Sequence, residues 1–228
     1  MRLFTYKLTH DSGFAPNPFH DVLTLATCKP GIRRTKMKGD WIAGFSSKAL
    51  STNAIKFGVE ISPDALIYLA KVSETLEIHR YYLDSRFQCK IPKDSDDPGD
   101  NIYKPLSDYP ENKGTFEQLD NLGDHGEGDM VHDLSGKNVL VCHEFYYFGR
   151  NGVDIPADIK ISRPKGPTYY GYKTADPKQI DPLIDWVRAK TKDKKGLNGM
   201  PCLMTDNYKS EDNCGGGCGE SNIQQKGK

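Results

Sequence analysis

The sequence predicts an α+β domain built round a mixed, barrel-like β-sheet, with short helices and long polar loops. Three observations lead there. Residues 138–148, NVLVCHEFYYF, are apolar on both alternating faces, the pattern of a central strand covered on both sides. Shorter segments at 2–8, 40–46 and 65–72 carry strand-type aliphatic and aromatic residues and are bounded by Gly, Pro and Asp. The stretches at 48–64, 93–99 and 104–135 are polar and poor in aliphatics, which leaves little room for long helices.

Composition bounds the rest. A chain of 228 residues suits one domain with embellishments, here residues 1–204, followed by a Gly- and Lys-rich tail at 205–228. The 36% hydrophobic content and a mean hydropathy of −0.65 imply a real core among many polar loops. No apolar run reaches the roughly 20 residues needed to cross a membrane, and no signal-peptide pattern opens the chain, so no membrane partner and a cytoplasmic location are expected. With 31 basic and 31 acidic residues the net charge is +0, which argues against a bulk electrostatic nucleic-acid binder. A local basic face at Lys29, Arg33, Arg34, Lys36 and Lys38 is compatible with that balance. The six cysteines read as thiols rather than a disulfide frame. Cys214 and Cys218 are spaced C-x3-C, but zinc needs four ligands and no second close pair accompanies them, so no metal is expected.

In the first strand, Leu3, Thr5 and Lys7 alternate with Phe4, Tyr6 and Leu8. The loop from Thr9 follows. Pro16 and Pro18 fix φ and hold Ala15 and Asn17 extended, while Phe14 and Phe19 can pack on a core. Such a stiff loop presents Asp11, Ser12, Asn17 and His20 as polar groups for a site, or else forms a structural proline corner. Residues 22–26 read as a short strand, and 32–37 as one helical turn. Gly39-Asp40 turns into WIAGF, where Trp41, Ala43 and Phe45 share one face and Ser46 and Ser47 lie at the exit. Residues 48–64 read as an excursion, and 65–72 as a strand with a helix competing. Thr75 can cap a helix through Leu83 that buries Leu76, His79 and Leu83, and Asp84-Ser85-Arg86-Phe87 ends it. Gly99 to Tyr103 is a turn feeding a strand, with Asn101 offering its amide. His125 and His132, among Asp124, Glu127, Asp129 and Asp133, could hold a divalent ion, but their spacing matches no metal motif and a mobile acidic loop is the default reading. His143 and Glu144 are polar guests in the central strand and require solvent or a partner. The Pro-, Gly- and Tyr-rich stretch 163–172 reads as a wrap or a groove lining, and Asp181-Pro182 as a helix start, with Asp176-Pro177 the earlier alternative.

GFAPNPF, LATCKPGIRR and MKGDWIAGF, with DSRFQ, GDNIY and FYYFG further on, resemble in order the bacterial nucleotide modification associated domain 2 family. The resemblance implies work alongside systems that modify DNA bases, and it brings no catalytic residue set. The order of basic turn, Gly-Asp, hydrophobic strand and Ser-Ser is similar to that of EVE and other PUA-like domains, small barrels whose pocket holds one nucleobase.

Motifs for phosphate loops, dinucleotide folds, zinc proteases, hydrolase elbows and zinc deaminases are missing from the sequence, and no cofactor is expected. Two functions follow. A reader would bind a modified or flipped base of DNA or a nucleotide, stacking it on Trp41 and Phe19 and reading its edge with Asn17, Ser46 and Asn101, with Arg86 on a phosphate. An enzyme acting on a base or nucleotide would use Asp11, His20, Asp100 or His143. A third role is an interaction subunit of a modification or restriction system.

Overall fold

The computed structural model describes residues 1–106, 115–123, 125–164, 172–174 and 176–204. The tail from 205, Asp124 and most of the 163–172 stretch therefore lie outside the described residues.

The chain opens with β1 (Leu3–Leu8), crosses over through β2 (Leu23–Leu25) and α1 (Pro30–Thr35), and returns as β3 (Trp41–Ser46) parallel to β1. The predicted excursion after β3 is instead a helix, α2 (Lys48–Ala54). The Ser47 side chain accepts the Leu50 N–H at 3.0 Å and so caps it, while Leu50 and Ala54 are its buried residues. Next come β4 (Leu66–Lys71) and β5 (Glu74–Glu77), then α3 (Ile78–Leu83). Thr75 thus sits in a strand rather than capping a helix, and Leu83 is exposed rather than buried. A 3-10 segment, Ser85–Lys90, leads to the small ladder of β6 (Tyr103–Pro105) and β7 (Phe116–Gln118). The supposed acidic loop contains α4 (Glu127–Leu134).

The expected strand at 138–148 is two strands, β8 (Asn138–Cys142) and β9 (Glu144–Tyr147), broken at His143. They belong to different sheets. The larger sheet runs β10-β1-β3-β4-β9-β11, with β10 (Tyr172–Thr174) and β11 (Gly196–Leu197) at its edges, and the smaller runs β2-β8-β5. The pairings Lys71 with Glu144 and Glu74 with Val141 keep one register across the break. So β4–β5 and β8–β9 form a single antiparallel ribbon that bends from one sheet into the other, a corner of the kind that joins packed sheets. The corner costs the ladder its alternation. Leu140 and Cys142 face the same core as Phe145 and Tyr147, while His143 is pushed out to solvent. The class is α+β with mixed sheets, as predicted. No closed barrel forms among the described residues.

Three cores result. One lies between the sheets, around Leu8, Leu25, Ile42, Tyr68 and Leu140. A second lies between the outer face of the larger sheet and α5 (Pro177–Thr191), around Trp41, Phe45, Tyr146 and Leu183. The third covers the outer face of the smaller sheet, around Phe14, Tyr81, Phe87, Tyr103 and Val139. The helix α5 starts at the earlier Asp-Pro, and Asp176 accepts the Lys178 N–H at 2.9 Å. Pro182 lies inside it, on the exposed side, where the carbonyl it leaves unpaired can meet water. In β3, a Cβ on Gly44 would come within 2.3 Å of the Tyr68 ring, so only glycine fits that crossing.

Trp41 is 1% exposed at the centre of the second core. Trp41→Ala is expected to lower unfolding free energy in urea by about 3–5 kcal/mol. A loss below about 1 kcal/mol would remove Trp41 from the core and return it to the surface.

Candidate active site

The outer face of the smaller sheet gathers one titratable cluster. The chain leaves β2 and turns at Cys28 and Lys29, both left-handed, with φ of 54° and 40°. Neither is glycine, so each costs on the order of 1–3 kcal/mol that the surroundings must offset. Two bonds hold the turn: the Cys28 N–H donates to Asp133 Oδ1 at 2.7 Å, and Arg33 Nε donates to the Cys28 carbonyl at 2.7 Å. Pro30 then starts α1, which carries Arg33 inward.

His125 stands just before α4 and is fixed on every side. Its N–H donates to Asn121 Oδ1 at 3.1 Å, and its carbonyl accepts from the Asn121 and Gln118 amides. Its ring packs edge-on to Phe14, with centroids 5.1 Å apart, so the proline loop supports the site without lending it a polar group. Held in this way, the ring places Nε2 3.4 Å from Cys28 Sγ and Nδ1 2.9 Å from Asp133 Oδ2. Asp133, in the last turn of α4, also accepts the Tyr103 hydroxyl at 2.8 Å on Oδ2.

The electrostatics agree with the distances. Burial disfavours a charged His125, but the hydrogen bonds to Asp133 and Cys28 outweigh it and raise its pKa to about 10. Burial likewise opposes ionisation of Asp133, yet the His125 hydrogen bond and the Arg33 charge hold its carboxyl below the usual range. Tyr103 is pushed up, first by burial and then by the Asp133 charge.

A thiol on one ring nitrogen and a buried carboxylate on the other supply a nucleophile, a proton carrier and an orienting acid. The same three groups lie within 4.8 Å of one another and could be read as a metal centre. Asp133, however, occupies the ring nitrogen facing away from Cys28, which leaves two ligands facing a common point where a catalytic zinc takes three.

A family model described as nucleotide modification associated domain 2 matches residues 1–207. The chain belongs to that family. No match was found among curated proteins or among solved structures. Family membership brings a setting of nucleotide modification, and the residues must supply the chemistry.

The site residues expected from the sequence fare differently. Asn17, Asp100 and Asn101 do come together, though around a group the sequence reading missed. The Lys90 ammonium is fully buried and donates to the Asn17 carbonyl and Oδ1, the Val22 carbonyl and Thr24 Oγ1. Thr24 and Tyr81 both donate to Asp100 at 2.7 Å, and the Asn101 amide donates to the carbonyls of Tyr81 and Phe87. Burial raises the Asp100 pKa against the Lys90 charge. These bonds tie the proline loop to the segment from Lys90 to Asn101.

Asp11 is buried and accepts from the Tyr147 hydroxyl and the Cys202 N–H. Ser12 and Phe19 are buried in the loop, and Trp41 is buried in the core. Ser46 donates to the Ser62 carbonyl at 2.6 Å. Arg86 forks onto Glu74 and Asp84 at the surface, and exposed His143 approaches Glu74 at 3.9 Å. Of the acid–base candidates, His20 is half-buried, with its pKa lowered by burial and then by Lys90. Of the predicted basic face, Arg33 and Lys36 are buried, with Lys36 over the Phe4 ring at 3.4 Å, while Arg34 and Lys38 are exposed. The residues that do converge are Cys28, read from the sequence only as a thiol, and His125 and Asp133, read there as part of a divalent-ion cluster or an acidic loop.

His125 binds its proton more tightly folded than unfolded, so its contribution to stability is present below about pH 6.5 and fades as pH rises towards about 10. Asp133 binds its proton less tightly folded, so its contribution is present above the ordinary carboxylate range and is lost on acidification. Urea midpoints measured from pH 6 to 10 should therefore fall with pH in the native protein, and more gently in His125→Asn. Parallel profiles would show that His125 is not held as the imidazolium.

Proposed function

We propose that the protein is the enzyme of its modification system, working by covalent catalysis from Cys28 on an acyl-type carbon of a nucleotide or nucleobase substituent. The observation that carries this reading is the His125 ring bridging Cys28 Sγ and Asp133 Oδ2 at 3.4 and 2.9 Å. In that geometry the imidazolium donates from Nε2 to the sulfur, and Cys28 attacks the carbonyl carbon as the thiolate of this ion pair to form a thioester. The imidazolium gives its proton to the departing amine or alcohol, and water or a second amine then releases the acyl group and restores the ion pair. Asp133 keeps the ring oriented and its positive form stabilised throughout. Arrangements of this kind recur on unrelated folds, which is why geometry rather than chain order identifies them. The reader alternative would require Trp41 and Phe19 to stack a base, and both are buried.

Nucleosides of the host's DNA and nucleotide pool, compared by mass spectrometry with the gene native, Cys28→Ala or His125→Asn, give the direct test. Both variants are expected to erase the difference that the native gene makes, with loss of acid–base help from His125 alone costing roughly 10²–10⁴-fold in rate. A Cys28→Ala strain with the native nucleoside profile would overturn the assignment, and so would stoichiometric zinc that depends on Cys28 and His125.

A further inference from the structure

We infer that Arg33 is the positioning residue of this site, locking the backbone of the nucleophile and the helix of the acid into one rigid frame. The inference rests on the Cys28–His125–Asp133 reading and adds to it a residue that touches none of the reacting atoms. Arg33 is completely buried, and each arm of its guanidinium is assigned. Nε donates to the Cys28 carbonyl at 2.7 Å, Nη1 to the Asn138 carbonyl at 3.0 Å, and Nη2 to the Asp133 carbonyl at 2.5 Å. One planar fork thereby ties the turn after β2, the end of α4 and the start of β8, a task the single point charge of lysine cannot do. Nη2 also lies 3.6 Å from the Asp133 carboxylate, so the fork places a positive charge behind the acid as well as a clamp on its helix.

The backbone around Arg33 is shaped to admit it. A Cβ on Gly136 would stand 2.6 Å from the guanidinium carbon and 2.8 Å from both terminal nitrogens. Gly136 has a special role here because of that space. Held by the fork, Cys28 keeps the left-handed turn that aims its sulfur at His125. The charged and titratable groups that bear on the cluster are Tyr6 from β1, Lys29 beside Cys28, Asp100, Tyr103 from β6, and the triad itself.

The test follows the rate of iodoacetamide alkylation at Cys28 from pH 5 to 9, read by peptide mass spectrometry, with half-buried Cys89 in the same molecule as the control. In the native protein Cys28 should react well ahead of Cys89 below pH 7, and His125→Asn should erase that lead. Arg33→Lys keeps the charge but loses the fork, and Gly136→Ala keeps Arg33 but displaces it. Each is expected to slow Cys28 at pH 6.5 by roughly tenfold and to move its pH profile towards that of Cys89, with circular dichroism unchanged. A folded variant of either kind whose profile overlays the native one would overturn the positioning role. Loss of the folded state in both would overturn it too, since Arg33 would then be a structural ion only. If His125→Asn fails to move the native profile, it is the triad reading that falls, independently of Arg33.

Discussion

The bent ribbon formed by β4–β5 against β8–β9 sets the terms for the rest of the molecule. Because one ladder keeps its register round the corner at His143, the two sheets are held face to face without a loop between them. Each sheet then has an inner face against the other and an outer face covered by helices or loops. Central strands are buried on both sides, and most charged groups carried inward by the connecting segments find partners there. Lys90 with its four acceptors, Asp11 with Tyr147, and Arg33 with its three carbonyls are all consequences of that constraint. A charge left unpaired in such a place would cost several kcal/mol, so these networks are complete or they are not there at all.

Much of this architecture was legible in the sequence, for reasons that can be named. β1, β3 and β4 show their apolar content within single segments, and tertiary structure had only to accept it. What was not legible depended on contacts made elsewhere. The corner at His143 is invisible in NVLVCHEFYYF because both halves are good strand, and only the partner ribbon decides where they part. The helix α2 buries only Leu50 and Ala54, too few apolar positions to show a period, and its Ser47 cap was the sole local signal. For α5, Asp181-Pro182 is the more conspicuous start signal in the sequence, yet a proline on an exposed side of the second turn leaves only one carbonyl for water to satisfy, so the helix begins at Asp176-Pro177.

The site was harder to read, and the reason is instructive. Polar residues in a stiff, proline-fixed loop look like functional groups presented to a ligand. In this chain they are polar because the loop is buried against Lys90 and Tyr147 and must be hydrogen-bonded there. The groups that meet as a reacting cluster look ordinary one at a time. Cys28 is a lone thiol in a Cys-Lys-Pro turn, and His125 and Asp133 sit in a stretch whose acids outnumber its aliphatics. Their separation of 97 residues between Cys28 and His125 can be closed only by the β2–β8 pairing and the packing of α4 on the outer face of that sheet. The one local signal was LATCKPG itself: a strand leading straight into a cysteine and a proline-started helix, a turn where an exposed nucleophile can be held under strain.

The distribution of positive charge bears on how such a site is used. The basic segment from Lys29 to Lys38 reads as a phosphate-facing patch, yet Arg33 and Lys36 point inward and Lys29 lies over the Tyr6 ring at 5.6 Å. Arg34 and Lys38 are the two of the five that remain on the surface. A protein that holds a duplex by its backbone keeps its cations outside, where they can displace counterions from phosphates. In this segment, in a chain of net charge +0, Arg33 holds a turn and a carboxylate instead, and Lys29 and Lys36 lie over the Tyr6 and Phe4 rings. Under the proposed chemistry, selectivity would then come from what can reach Cys28 Sγ beside the His125 ring.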